Sequence, residues 1–211
     1  MFAYAGQVFA ELHGGGNIDK AKLRNYSWRG VLRVNVGTRK LLWWVIPGVL
    51  AGMPMPFIHP ERRLNGGGEL YSSVDELPIL YEAGIRAIVS LLSFTGDKTI
   101  FSQAGFSHLS LPIPDGYAPS LDQAQAFLQF VREQRSQGRP VAVHCAAGRG
   151  RTGTMLAAYF IAEGASWMEA IARVRGVEPS AIETSSQVRF LEEYDGWSAA
   201  KRSVSPRVSP Q

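Results

Sequence analysis

The sequence predicts an α/β domain, a mainly parallel central sheet of four to five strands flanked by helices. Short apolar runs rich in β-branched residues, Ala87-Ile88-Val89 and Val141-Ala142-Val143, read as strands buried on both faces. Between and after them, apolar residues recur at helical spacing in stretches opened by Ser or Thr and closed by Gly. Strand and helix alternate along the chain, and parallel pairing needs such crossovers.

Residues 1–40 show no sustained periodicity and form an N-terminal extension of unknown role. Gly14-Gly15-Gly16 follows no strand and precedes no Lys-Ser/Thr pair, which excludes a nucleotide-type phosphate loop there. Residues 41–57 are apolar for seventeen positions, but Pro47-Gly48, Pro54 and Pro56 interrupt the run and it falls short of a membrane span. Two short strands around a turn, 42–46 and 49–52, are expected instead. Ser73-Val74-Asp75-Glu76 has the form of a capping box, with Leu77, Leu80 and Tyr81 facing inward and Gly84 ending the helix. A strand follows at 87–92, then a brief helix at 99–104, then a half-buried strand in which Leu109, Leu111 and Ile113 alternate.

Ser120 caps a long helix whose inner stripe is Leu121, Ala124, Phe127, Leu128 and Val131, closed by Gly138. After the strand at 141–143 comes a helix from about 152 to 162. Ser166-Trp167-Met168-Glu169 opens the next, to about 175, and Thr184-Ser185-Ser186-Gln187 opens the last, to about 199. The domain is therefore expected at 41–199, with 200–211 a basic, Ser/Pro-rich disordered tail.

Chemistry concentrates where the strand at 141–143 ends. His144 and Cys145 are followed by Ala146, Ala147, Gly148, Arg149, Gly150 and Arg151, and a helix begins at about Thr152. A loop of backbone amides at a helix start is an anion site, and glycine lets its backbone come close. Arg151 adds a planar fork that matches two phosphate oxygens, which puts the Cys145 thiol under the phosphorus. The amides, the helix start, Arg151 and an inward Thr152 hydroxyl all favour a thiolate over a thiol. In an open parallel sheet, sites gather at the carboxyl ends of strands. A second such end leads into Pro114-Asp115-Gly116, and Asp115 is the choice for a general acid, with Asp97 the runner-up.

At 211 residues and 45% hydrophobic, the chain has room for one well-buried domain plus extensions. Its net charge is 22 − 18 = +4, but Lys201, Arg202 and Arg207 lie in the tail, so the body is near neutral and no nucleic-acid partner is expected. A single cysteine excludes an internal disulfide and points to a reducing compartment, and the opening residues lack the pattern of a secretory signal. A cytoplasmic location with no transmembrane segment is the expectation. Four scattered histidines and one cysteine offer no metal cluster, so neither metal nor cofactor is expected.

The motif His144-Cys145-x-x-Gly148-x-x-Arg151-Thr152-Gly153 resembles the signature of the cysteine-dependent protein tyrosine phosphatase superfamily. Further stretches are similar to the small atypical dual-specificity phosphatases of the VHZ-like kind. These are Trp44-Val45-Ile46-Pro47-Gly48, Leu50-Ala51-Gly52, Pro54, Ile113-Pro114-Asp115, Gly153-Thr154-Met155-Leu156-Ala157, and Ile182-Glu183-Thr184 with Gln187. The likeness covers 44–197, roughly three quarters of the chain.

The resemblance implies the cysteine-dependent phosphatase fold and dephosphorylation of phosphotyrosine, with phosphoserine and phosphothreonine as further substrates, through a cysteinyl-phosphate. It also implies that Asp115 is the general acid and that His144 bonds the loop backbone. Glu183 and Gln187 either cap the last helix or orient the hydrolytic water. Phosphoprotein substrates are the expected partners. Arg149, a cation where many relatives carry a neutral residue, leaves phosphoinositides or other non-protein phosphates as an alternative. A non-catalytic phosphate-binding module is a third reading, but Cys145, Arg151 and Asp115 are all retained.

Overall fold

The computed structural model of the chain describes residues 33–36, 39–56, 76–92 and 98–204. Six strands form one sheet: β1 (Arg33–Val36), β2 (Arg39–Ile46), β3 (Leu50–Met53), β4 (Ala87–Ser90), β5 (Ser107–Ser110) and β6 (Val141–His144). Their order is β1-β2-β3-β6-β4-β5. The run β3-β6-β4-β5 is parallel throughout, and β1 and β2 extend it antiparallel at one edge. β6 lies between β3 and β4, and all four of its residues are buried, as a strand covered on both faces requires.

Among the described residues, six helices cover the two faces: α1 (Leu77–Glu82), α2 (Lys98–Gln103), α3 (Leu121–Ser136), α4 (Gly150–Ala162), α5 (Trp167–Val177) and α6 (Ser185–Val204). Alternating strand residues divide between two cores, because successive side chains point to opposite faces. Trp43, Val89, Val141 and Val143 pack with α3, α4, α5 and α6, whereas Trp44, Ile88 and Ala142 pack with Leu77 and Leu80 of α1 and Phe101 of α2. α4 is buried from Gly150 to Ile161, which fits a helix with apolar residues all round. Ser120 and Ser166 cap their helices as expected, each in a capping box, with Gln123 and Glu169.

Several expectations are corrected. Among the described residues the expected, mainly parallel sheet carries one strand more than four to five, since Arg33–Val36 pairs with β2 ahead of the expected domain start at 41. Four residues with polar neighbours carry too little apolar pattern to be read alone. The last helix does not end near 199: it runs to Val204, with Arg202 Nη1 donating to the Ile161 carbonyl (2.9 Å) and to Ser198 Oγ (2.7 Å). Lys201 Nζ donates to Gln125 Oε1 (3.1 Å), so the start of the expected tail is docked on the domain by its own basic residues. Leu121 is 40% exposed at the first turn of α3 and not part of the inner stripe. β5 is shorter than expected, although Leu111 and Ile113 still donate to the Ser90 and Leu91 carbonyls beyond it. The expected Ser73-Val74-Asp75 cap, Asp97 and 205–211 lie outside the described residues.

Lys40 on β2 donates to Glu178 at the end of α5, which also accepts from Ser180. Burial works against the Glu178 charge, but these two hydrogen bonds outweigh it and hold the carboxyl below the usual carboxylate range. A depressed folded-state value means that the pair stabilises the fold above the unfolded carboxylate value, and that this contribution is lost as pH falls through the folded one. Glu178→Gln is therefore expected to lower Tm near pH 7 and to flatten its fall on acidification to about pH 3. A parallel downward shift of the whole Tm–pH curve would show that the ion pair is not the cause.

Candidate active site

The site is assembled at the carboxyl end of β6. Cys145 directly follows the strand and is 3% exposed. Gly148 then adopts φ +70°, where a β-carbon is strained, and a β-carbon there would also lie 2.4 Å from the Met53 carbonyl and Pro54 N. No other residue type admits this turn against β3. The loop is further tied to that side by the Met55 amide, which donates to the Ala146 carbonyl (3.0 Å). α4 begins at Gly150, two residues before the expected Thr152, because the Arg149 carbonyl accepts from the Gly153 amide (2.7 Å). Its N-cap, Arg149, supplies no side-chain cap, so the first amides of α4 keep the donor character of an open helix start.

Arg151 lies on the first turn of α4 and is 4% exposed. Its Nη1 donates to the Ile113 carbonyl (2.9 Å) and its Nη2 lies 2.6 Å from Asp115 Oδ1 in an ion pair. Among the described residues, Arg151 Nε and Thr152 Oγ1 are buried polar groups with no hydrogen-bond partner. Leaving a buried donor unmet costs about 1–3 kcal/mol, so both atoms favour an incoming acceptor. His144 is fully buried; its Nδ1 lies 3.3 Å from the Cys145 carbonyl and its ring packs edge-on to Phe101 (5.7 Å), which fits support of the loop backbone.

Asp115 is carried by a tight turn after β5. The Tyr117 amide donates to the Pro114 carbonyl (3.2 Å) and Gly116 has φ +77°, the requirement of a type II turn at its third residue. The Asp115 side chain is 88% exposed, in contrast to its buried arginine partner. The segment 182–187 closes the other side. Glu183 Oε1 lies 3.4 Å from Arg149 Nε, so the loop cation expected to face substrate is paired at the rim. Gln187 is buried, and its Oε1 accepts from the amides of Glu183 (2.8 Å) and Thr184 (3.2 Å) while the Gln187 amide donates to Thr184 Oγ1 (3.3 Å). This is the geometry of a capping box, one of the two roles the sequence left open for Gln187.

Three groups escaped the sequence reading. The Ile113 carbonyl anchors Arg151, and Thr184 and Ser186 contact the Asp115 turn through the Gly116 carbonyl (3.0 and 3.3 Å). The Thr-x-x-Gln pattern announced a cap, but nothing local announced what else the cap touches. Ala147 stays within the loop as an exposed residue.

A family model described as "Polymorphic toxin system, DSP-PTPase phosphatase" matches residues 67–165. The human dual specificity protein phosphatase CDC14A is 32% identical over 151 residues, which cover 71% of this chain and 24% of that protein. The chain thus spans about a quarter of the length of such curated relatives. Among solved structures, Tk-PTP in the active form superposes with a TM-score of 0.60 at 29% identity, covering 74% of this chain and 96% of that one. PTPMT1 in complex with PI(5)P superposes with a TM-score of 0.57 at 24% identity, over 74% and 95%, a likeness of fold.

Proposed function

We propose that this chain, which a DSP-PTPase phosphatase family model matches over residues 67–165, is a cysteine-dependent phosphomonoesterase acting on phosphotyrosine, and on phosphoserine and phosphothreonine, in proteins. The observation that carries this reading is the ion pair of Arg151 Nη2 with Asp115 at 2.6 Å, with Arg151 Nε unpartnered beside it and Cys145 at the base of the same loop. A phosphate seated side-on to that guanidinium takes Nε and Nη2 together, and so takes Asp115's place on Nη2. Its remaining oxygens meet the amides of 146–151. The exchange leaves Asp115 free to carry a proton to the leaving oxygen.

Cys145 Sγ then attacks phosphorus in line. The S–P bond forms as the P–O bond to the leaving group breaks, and Asp115 gives that oxygen its proton. Water next attacks the cysteinyl-phosphate, passing a proton to the Asp115 carboxylate, and the S–P bond breaks to return the thiolate and release inorganic phosphate. The amides and Arg151 hold the equatorial oxygens throughout, so developing charge meets fixed dipoles and little reorganises. Thr152 Oγ1, buried and unpartnered, is a donor for the sulfur.

The pairing of Arg149 with Glu183 supports phosphoproteins over highly charged inositol phosphates, since the cation is countered within the protein. The test is phosphate release from phosphotyrosyl, phosphoseryl and phosphothreonyl peptides and from phosphoinositide vesicles, by wild type and Arg149→Ala. Peptides are expected to be the faster substrates and Arg149→Ala to change their kcat/KM by less than about threefold. Faster release from phosphoinositides, lost in Arg149→Ala, would replace this reading with the lipid one.

A further inference from the structure

We infer that Thr184, seconded by Ser186, is the latch that positions the general acid, holding the turn at 114–117 in place when phosphate takes Arg151 from Asp115; this rests on the acid role proposed for Asp115. Thr184 Oγ1 donates to the Gly116 carbonyl at 3.0 Å and Ser186 Oγ to the same oxygen at 3.3 Å. Gln187 Nε2 donates to the next carbonyl, Tyr117, at 3.3 Å. Three donors from the start of α6 thus grip two successive carbonyls of a turn whose acid side chain is 88% exposed. Once its contact with Arg151 is exchanged for substrate, the placement of Asp115 depends on its backbone, and a shift of about 1 Å in a reacting group costs on the order of 10²-fold in rate.

The latch is itself fixed to the phosphate loop. Ile182 sits at φ +62°, a region costly for a β-branched residue at about 1–3 kcal/mol. Arg175 holds it there, donating from Nε to the Ala181 carbonyl (3.1 Å) and from Nη2 to the Ile182 carbonyl (2.9 Å). The Ile182 amide donates to the Arg149 carbonyl (3.4 Å), and Glu183 pairs with the Arg149 side chain. The segment 182–187 therefore spans from the phosphate loop at one end to the acid turn at the other. Its strain is local evidence that geometry here is held against backbone preference.

Thr184 both caps α6 and latches the turn, and one substitution separates the two. Thr184→Asp keeps an acceptor for the Gln187 amide but has no proton for the Gly116 carbonyl. The experiment measures kcat of the full chain on phenyl phosphate, a poor leaving group, and on 2,4-dinitrophenyl phosphate, a good one, with Tm recorded alongside. Asp115→Asn is the reference, and Ser186→Ala and Thr184→Ser complete the set. Thr184→Asp is expected to lose about 10-fold to 10²-fold on phenyl phosphate and less than about twofold on the dinitrophenyl ester, and Thr184→Ser to restore the phenyl rate.

Ser186→Ala is expected to show the same selectivity at a smaller size, and keeps the test open if Thr184→Asp folds poorly. Equal losses on both esters in the Thr184 and Ser186 variants, with Asp115→Asn still selective, would overturn the latch alone. An unselective Asp115→Asn would remove the acid role and the latch with it.

Discussion

Cys145→Ser is expected to lower phosphate release from a phosphotyrosyl peptide by on the order of 10⁵-fold or more, the scale of losing an enzyme's nucleophile. Serine is nearly isosteric, so the loop, with Gly148 against Met53 and the Ala146 carbonyl held by Met55, has no reason to move. What disappears is the sulfur nucleophile, which attacks phosphorus and leaves it far more readily than a serine oxygen. Binding of an inert oxyanion such as tungstate should stay within about threefold of wild type, because it rests on the amides and Arg151. Turnover retained within about 10²-fold would exclude the cysteinyl-phosphate route. Loss of tungstate binding together with turnover would instead show that the substitution disrupts the loop.

Arg151→Lys is expected to reduce kcat by at least about 10²–10³-fold with the tungstate Kd raised in parallel. Charge is conserved, so the loss isolates geometry. Arg151 uses Nη1 on the Ile113 carbonyl, Nη2 on Asp115 and keeps Nε for an acceptor, three directions in one plane from a side chain 4% exposed. A lysine ammonium is a single point at the end of a flexible stem and cannot hold the carbonyl and two phosphate oxygens at once. The Ile113 carbonyl also loses its donor, which should cost about 1 kcal/mol of stability and appear as a lowered Tm. A lysine variant with wild-type kcat would show that charge alone suffices and would remove the side-on fork from the mechanism.

Much of the candidate site was legible because its residues are neighbours in the chain. Val141-Ala142-Val143 leading into Cys145, a glycine-rich loop and an apolar helical run describes one strand–loop–helix unit whose geometry follows from backbone preferences. Asp115 was legible for a related reason: Pro114-Asp115-Gly116 is a turn by its chemistry, and the turn is there. Where reading failed, the deciding contact was remote or the local signal was shared. Lys201 and Arg202 looked like a solvated tail, yet Gln125 and Ile161 supply acceptors that extend α6. Arg149 looked like a free cation, and Glu183, brought alongside by the strained turn at Ile182, pairs with it.

The sequence by itself determined the alternating strands and helices, the cysteine at the head of a glycine-rich loop, the arginine that follows it and the turn that carries Asp115. Each depends on residues within a few positions of one another, where φ/ψ preference, glycine placement and apolar period act directly. Tertiary structure decided how the pieces meet. β6 inserts between β3 and β4, Arg151 reaches Ile113 across 38 positions, and Thr184 reaches Gly116 across 68. Contacts at such separation depend on packing of two cores against one sheet, and no local preference encodes which carbonyl a threonine will find. The aspartate at 115 and its turn are therefore legible in the sequence, and what that turn touches is a property of the fold.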